Sequence, residues 1–241
     1  MIHKLLKFIV DKTLGAFLIR KVLIKLFGYN WVGFLLSATG YRAIHMIDSG
    51  ETCLLAGIFS HETVKNFSNI VGTRGKVIVV EANPDNVEEL IRKTSKLSNV
   101  TIINKAIWNS KGEMEFIYSE KKKAQGYNRL NSDNLQEFPL DIDSKPMKIK
   151  VPTNNISGIL KDINISSVDH VNMTINGAEL KAIEDLPNLR KLNPNIRIYI
   201  NSQTPDPALE VISKLKLQNY KVFTSHMIRT INTKIKLVRI Y

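Results

Sequence analysis

The sequence predicts an α/β fold, a mostly parallel sheet with helices on both faces and an antiparallel hairpin at one edge. Short apolar runs alternate with helix-like segments from about residue 50, the rhythm of βαβ units with right-handed crossovers. One run, Lys76–Val80 (KVIVV), is continuously apolar after its lysine, as strands covered on both faces are. The third observation is size. At 241 residues and 44% hydrophobic content, with no Pro/Ser/Gly-rich linker, the chain fills one core.

The elements follow in order. Thr52–Ala56 (TCLLA) reads as a buried strand ending at Gly57, and a helix spans roughly Ser60–Val71 with Ser60 as its N-cap. The turn Gly72-Thr-Arg-Gly75 leads into Lys76–Val80. Pro84 suits the first turn of a helix reaching about Leu97, with Val87, Leu90 and Ile91 at i, i+3 and i+4. Val100–Asn104 is a third strand, and Asp169–Ile175, Ile196–Ile200 and Lys221–Thr224 continue the sheet. Helices are expected at Ala178–Asp185 and Pro207–Gln218, and Ile228–Ile231 with Lys236–Ile240 at the edge hairpin. Residues 119–147 are polar and aperiodic, either a connection or an insertion that covers a substrate.

The net charge of +12 is carried by the ends. Residues 1–46 hold seven Lys/Arg against one acid, Asp11, and residues 211–241 hold seven against none. The first 48 residues are set apart as a basic helical extension, with residues 49–241 forming the main domain. Ile2, Leu5, Leu6 and Ile9 share one side of a helical wheel, with Lys4, Lys7 and Asp11 opposite. The basic ends fit a solvated surface, an anionic membrane face or a phosphorylated substrate. Nucleic acid is disfavoured, because no aromatic-basic interleaving or reading motif is present. The longest uncharged run, Leu26–Tyr41, is too short and too polar for a transmembrane helix. Cys53 is the only cysteine, so no internal disulfide or thiolate metal cluster is available. The N-terminus lacks the apolar run and cleavage site of a secretory signal, so a cytoplasmic location is expected, with peripheral membrane contact as the variant.

Open parallel sheets bind ligands beyond the carboxyl ends of their strands. That rule selects Gly57–His61, Glu81–Asn83, Asn104–Ile107 and Thr174–Gly177. Glu81 stands out, because a carboxylate ending a buried strand must face solvent or a polar ligand, and it can accept both hydrogen bonds of a ribose diol. The first loop, Ala56-Gly57-Ile58-Phe59-Ser60-His61, has one glycine, which argues against a dinucleotide.

The motif order ETCLLAG, KVIVVEANPDNVEEL, VTIINKAIWNSKGEMEF, VPTNNISGIL, VDHVNMTINGAELKAIEDL resembles the FkbM family of S-adenosylmethionine-dependent methyltransferases over roughly residues 50–190. The resemblance implies a Rossmann-like class I methyltransferase fold, S-adenosylmethionine as cofactor, and O-methylation of a small-molecule, sugar or glycan hydroxyl. It places Gly57 in the first cofactor loop and Glu81 at the ribose, with Asn83 in the turn beyond; Asn104, Ala106 and Ile107 fall in the stretch passing the adenine. Gly177 and Glu179 match a Gly-x-Glu after the fourth strand.

The chain departs from the family at several positions. Leu55 stands where the family has an acid, His61 where it has a glycine, and Asn172-Met-Thr-Ile-Asn-Gly177 replaces Lys-Ile-Asp-Val-Glu-Gly. The usual candidate base is thus Thr174, leaving His61 and Glu179 as replacement candidates for acid–base work. The competing functions are a catalytically inactive binding protein of the same fold and a peripheral membrane module using the basic ends.

Overall fold

Thr52–Ala56 forms strand β1, with Cys53 to Ala56 buried, because an apolar run sealed on both faces can only be a central strand. It belongs to a computed structural model that describes residues 47–58, 60–119, 128–131, 146–201, 205–218, 220, 222–224 and 238–240. The basic N-terminal extension up to residue 46 lies outside the described residues, and residues 47–241 form one unit.

Helix α1 (His61–Val71) begins at Ser60, whose hydroxyl accepts from Thr63 N–H, and stops at Gly72, where φ is +67°. Val64, Phe67 and Val71 are its buried stripe. Strand β2 (Lys76–Glu81) leads to α2 (Pro84–Thr94), capped by the Asn83 side chain with Pro84 in its first turn. This helix ends three residues before the expected Leu97; Val87 and Leu90 are buried, whereas Ile91 is exposed. Strand β3 (Val100–Asn104) then lies parallel to β2.

After a second sheet comes α3 (Ile156–Asp162), then β8 (His170–Met173), a helical turn α4 (Glu179–Ala182) continued as a 3₁₀ turn to Asp185, α5 (Leu186–Leu192), β9 (Arg197–Ile200), α6 (Pro205–Leu217), β10 (Val222–Thr224) and β11 (Val238–Ile240). The main sheet has the order β10-β11-β9-β8-β1-β2-β3. Only β11 runs antiparallel, and it is inserted between β9 and β10. Strand β11 pairs antiparallel with β10, and the expected hairpin partner Ile228–Ile231 lies outside the described residues.

Alternation divides the core. Leu54, Ile78, Val80, Val171, Met173 and Ile198 pack with residues of α3, α5 and α6. The intervening residues face the opposite side, where Phe67 of α1 lies 6.2 Å from the His170 ring. Helices thus cover both faces. No helix among the described residues is long and apolar enough to cross a membrane.

The stretch after β3 holds what the sequence reading missed: a four-stranded sheet in the order β4-β7-β5-β6, from β4 (Ala106–Ile107), β5 (Gly112–Ser119), β6 (Arg129–Leu130) and β7 (Pro146–Asn154). Strands β5 and β7 pair antiparallel from Gly112↔Thr153 to Ser119↔Pro146. Met114, Phe116 and Tyr118 pack inward with Met147, Ile149 and Val151. On the other face, Lys148 meets Glu115 at 3.0 Å and Lys150 meets Glu113 at 3.5 Å.

Candidate functional site

The strand order reverses between β1 and β8, and a cleft opens there at the carboxyl ends of the strands. It encloses about 620 Å³ of free space, its open mouth included. The main sheet supplies Gly57, Glu81, Thr174 and Asn176, and the second sheet supplies Phe116 and Leu130 as the facing wall.

Gly57 marks the crossing point. Its φ is +69°, and a Cβ there would lie 2.1 Å from the Thr174 carbonyl oxygen, so the loops after β1 and β8 touch backbone to backbone. Its N–H donates to the Val80 carbonyl at 3.0 Å, tying β1 to the end of β2.

Glu81 lines the cleft yet is only 5% exposed. Burial pushes its carboxyl up to about 7, opposed by hydrogen bonds from Asn83 N–H, the Asn86 side chain and Ala82 N–H. The Asn83 N–H bond to Oε1 is 2.9 Å. These donors fix the carboxyl at the strand tip, and the raised value leaves it partly protonated near neutral pH.

Asn83 itself does not line the cleft. Its Oδ1 caps α2 by accepting from Asp85 N–H at 3.0 Å, and its buried Nδ2 has no hydrogen-bond partner. Asn104 acts from behind: its Nδ2 donates to the carbonyls of Glu81 and Ala82, each at 3.0 Å, clamping the backbone that presents Glu81. Ala106 and Ile107 line the cleft with Lys105, whose Nζ is 2.6 Å from Asp162 Oδ2.

The two acid–base candidates sit elsewhere. His61 opens α1 with Nε2 3.0 Å from Glu62 Oε1, outside the cleft lining. Glu179 is fully buried, and its two oxygens accept from Ile175 N–H at 3.2 Å and Gly177 N–H at 2.7 Å. Burial raises its carboxyl above the usual range, against those bonds. It staples the loop that carries Thr174 and Asn176.

Sequence reasoning missed Asn86, Phe116, Asn128 and Leu130, whereas Thr174 and Asn176 fall in the strand-end stretch it selected. Only Asn86 carried a local signal, one helical turn beyond Glu81. No cluster of metal-ligating residues occurs among the described residues.

Residues 55–222 match the methyltransferase FkbM domain, about two thirds of the chain, from the end of β1 through β9. The chain belongs to this family. No curated protein matches this chain in sequence. Among solved structures, fibrillarin from Aeropyrum pernix, determined with natively bound S-adenosyl-L-methionine, aligns with TM-score 0.51 at 13% identity, covering 86% of this chain and 72% of that one. A SAM-dependent methyltransferase from Aquifex aeolicus aligns with TM-score 0.41 at 17% identity, over 80% and 82% of the two chains. An rRNA methylase from Streptococcus thermophilus gives 0.45 at 13% identity, over 83% and 95%. The fibrillarin likeness shows a shared fold, the class I methyltransferase architecture already traced in the seven-stranded sheet.

Proposed function

We propose that the FkbM domain binds S-adenosylmethionine in the cleft and transfers its methyl group to a hydroxyl of a small molecule, sugar or glycan. The observation that carries this is Glu81, a buried carboxylate presented at the switch point and held by three donors. The residues fit the cofactor. Glu81 would accept from the ribose hydroxyls, Ile107 and Phe116 offer apolar surface for the adenine, and the loop at Gly57 allows close backbone approach where a Cβ would collide. When bound, the cofactor supplies an electrophilic methyl group on a sulfonium.

The chain's own residues supply positioning and exclusion of water. Gly57 and the Thr174 carbonyl bring two loops together at the cleft floor, and the Phe116–Leu130 wall faces them. In-line methyl displacement gains much of its acceleration from such orientation. Thr174 stands at the family's acidic position and lines the cleft, so its hydroxyl is placed to orient an acceptor rather than to remove a proton at neutral pH.

Calorimetric titration of the full chain with S-adenosylmethionine and its demethylated product, S-adenosylhomocysteine, tests the reading. Binding of both with micromolar affinity is expected; no heat at about millimolar ligand would sink it.

A further inference from the structure

The walls of the cleft belong to two different sheets, so the bonds that fasten one to the other decide the shape a ligand meets. On the main-sheet side the loop after β8 is already fixed. Glu179 accepts from the N–H groups of Ile175 and Gly177, and the Thr174 carbonyl lies against Gly57. Asn176 stands in the middle of that loop at φ +49°, a left-handed backbone that asparagine takes up more readily than most residues. Its Nδ2 donates to the Asn128 carbonyl at 2.7 Å, and both residues are buried.

On the other side, Asn128 directly precedes β6. Among the described residues β6 pairs with β5 through Phe116↔Leu130 and Ile117↔Arg129, and Asn131 N–H donates to the Glu115 carbonyl at 2.7 Å. The Asn128 side chain lengthens this join, its Oδ1 accepting from Ser119 N–H at 3.1 Å. One residue thus holds β5 with its side chain and the β8 loop with its carbonyl. Leu130 and its β5 partner Phe116 both line the cleft. They also share an apolar cluster with Ala178, just beyond that loop. Such contact is non-directional and draws the wall in without setting its position. A hydrogen bond is directional, and losing this one strands the buried Asn128 carbonyl. The glutamate that the family carries at position 176 has acceptors only when ionised, so the bond depends on the amide found here.

We propose that Asn176 is a positioning residue: through Asn128 it latches the Phe116–Leu130 wall to the switch-point loop, so the cleft is set to its binding shape before a ligand arrives. Preorganisation of this kind raises affinity, because the ligand does not have to order the wall itself. The proposal rests on the methyltransferase reading above for the identity of the ligand, and on the bonds alone for the latch.

Two variants of the full chain test it. Asn176→Gly keeps the left-handed backbone and removes the donor; Asn176→Asp keeps the size of the side chain and removes the donor. Amide hydrogen exchange reads the latch directly. In both variants Asn131, on the β5–β6 join, should exchange at least about tenfold faster relative to Val77, whose N–H donates to the Asn99 carbonyl in the main sheet. Loss of global stability alone speeds Val77 at least as much and cannot raise that ratio. Affinity for S-adenosylhomocysteine should fall roughly five- to tenfold, and the bound ligand should return the Asn131 ratio toward that of the unaltered chain. A merely structural role would leave the affinity of the folded protein where it was. An unchanged exchange ratio overturns the proposal, and so does a raised ratio with unchanged affinity. Failure of S-adenosylhomocysteine to bind the unaltered chain would instead count against the proposed function, and the ligand-free exchange ratio would then decide the latch by itself.

Discussion

Two glutamates end up buried beside the same switch point with opposite surroundings. Glu81, at the tip of β2, lines the cleft and keeps its carboxylate on the open side of a three-donor cradle. Glu179, at the start of α4, has both oxygens bonded to the backbone of its own loop and touches no open space. Burial raises the proton affinity of both. The carboxyl that faces a void can respond to a ligand, whereas the one facing its own backbone sets a loop. A perturbed acid is therefore a site candidate only once its partners are known.

The largest expected break in this contrast comes from Glu179→Ala. It strands the N–H groups of Ile175 and Gly177 inside the protein and should lower stability by about 3 kcal/mol, read as a fall in the urea midpoint. Glu81→Gln should do the reverse. Affinity for S-adenosylhomocysteine should fall about 30-fold by calorimetry, because an amide cannot accept both diol protons, while the ligand-free protein becomes more stable at pH 8.

The sign of that second effect follows from the shift to about 7. The native state holds the Glu81 proton more tightly than the unfolded chain, so the associated stability is fully present below the ordinary carboxylate range. It is lost as pH rises through about 7. Urea midpoints at pH 5 and pH 8 should differ in the unaltered chain, and this component of the difference should vanish in Glu81→Gln. Affinity for the cofactor moves the other way. The diol favours the ionised carboxylate, so binding should weaken up to roughly tenfold between pH 7 and pH 6, and this slope should be absent in the Gln variant. Asn104→Ala should give the smallest effect, about threefold in affinity, since it loosens the backbone behind Glu81 and leaves the carboxylate in place.

The main sheet was legible because its strands are sealed on both faces, so KVIVV and TCLLA advertise themselves as apolar runs. Strand-end logic then put Gly57, Glu81, Ala106 and Ile107 at the cleft. The second sheet was hidden by its one wet face: Glu113, Glu115, Lys148 and Lys150 interrupt the apolar residues of β5 and β7, and the pairing joins strands some thirty residues apart. Phe116 and Leu130 could not be assigned to the site without that pairing. Glu179 misled for a related reason. Its spacing after Gly177 suggested chemistry, but its backbone bonds exist only once the loop after β8 has closed.

The placement of β11 has a consequence for a shortened chain. Strand β10 touches the sheet only through β11, whose residues lie 14 to 18 positions further along the chain than their β10 partners, from Thr224↔Val238 to Val222↔Ile240. A chain that ends at residue 237 lacks the strand that pairs, among the described residues, with the outer edge of β9 and with β10. Without Val238–Ile240, that edge offers unpaired N–H and C=O groups to any other extended segment nearby. Truncation before residue 238 is therefore expected to leave an adhesive edge on β9, read as concentration-dependent association of the shortened chain.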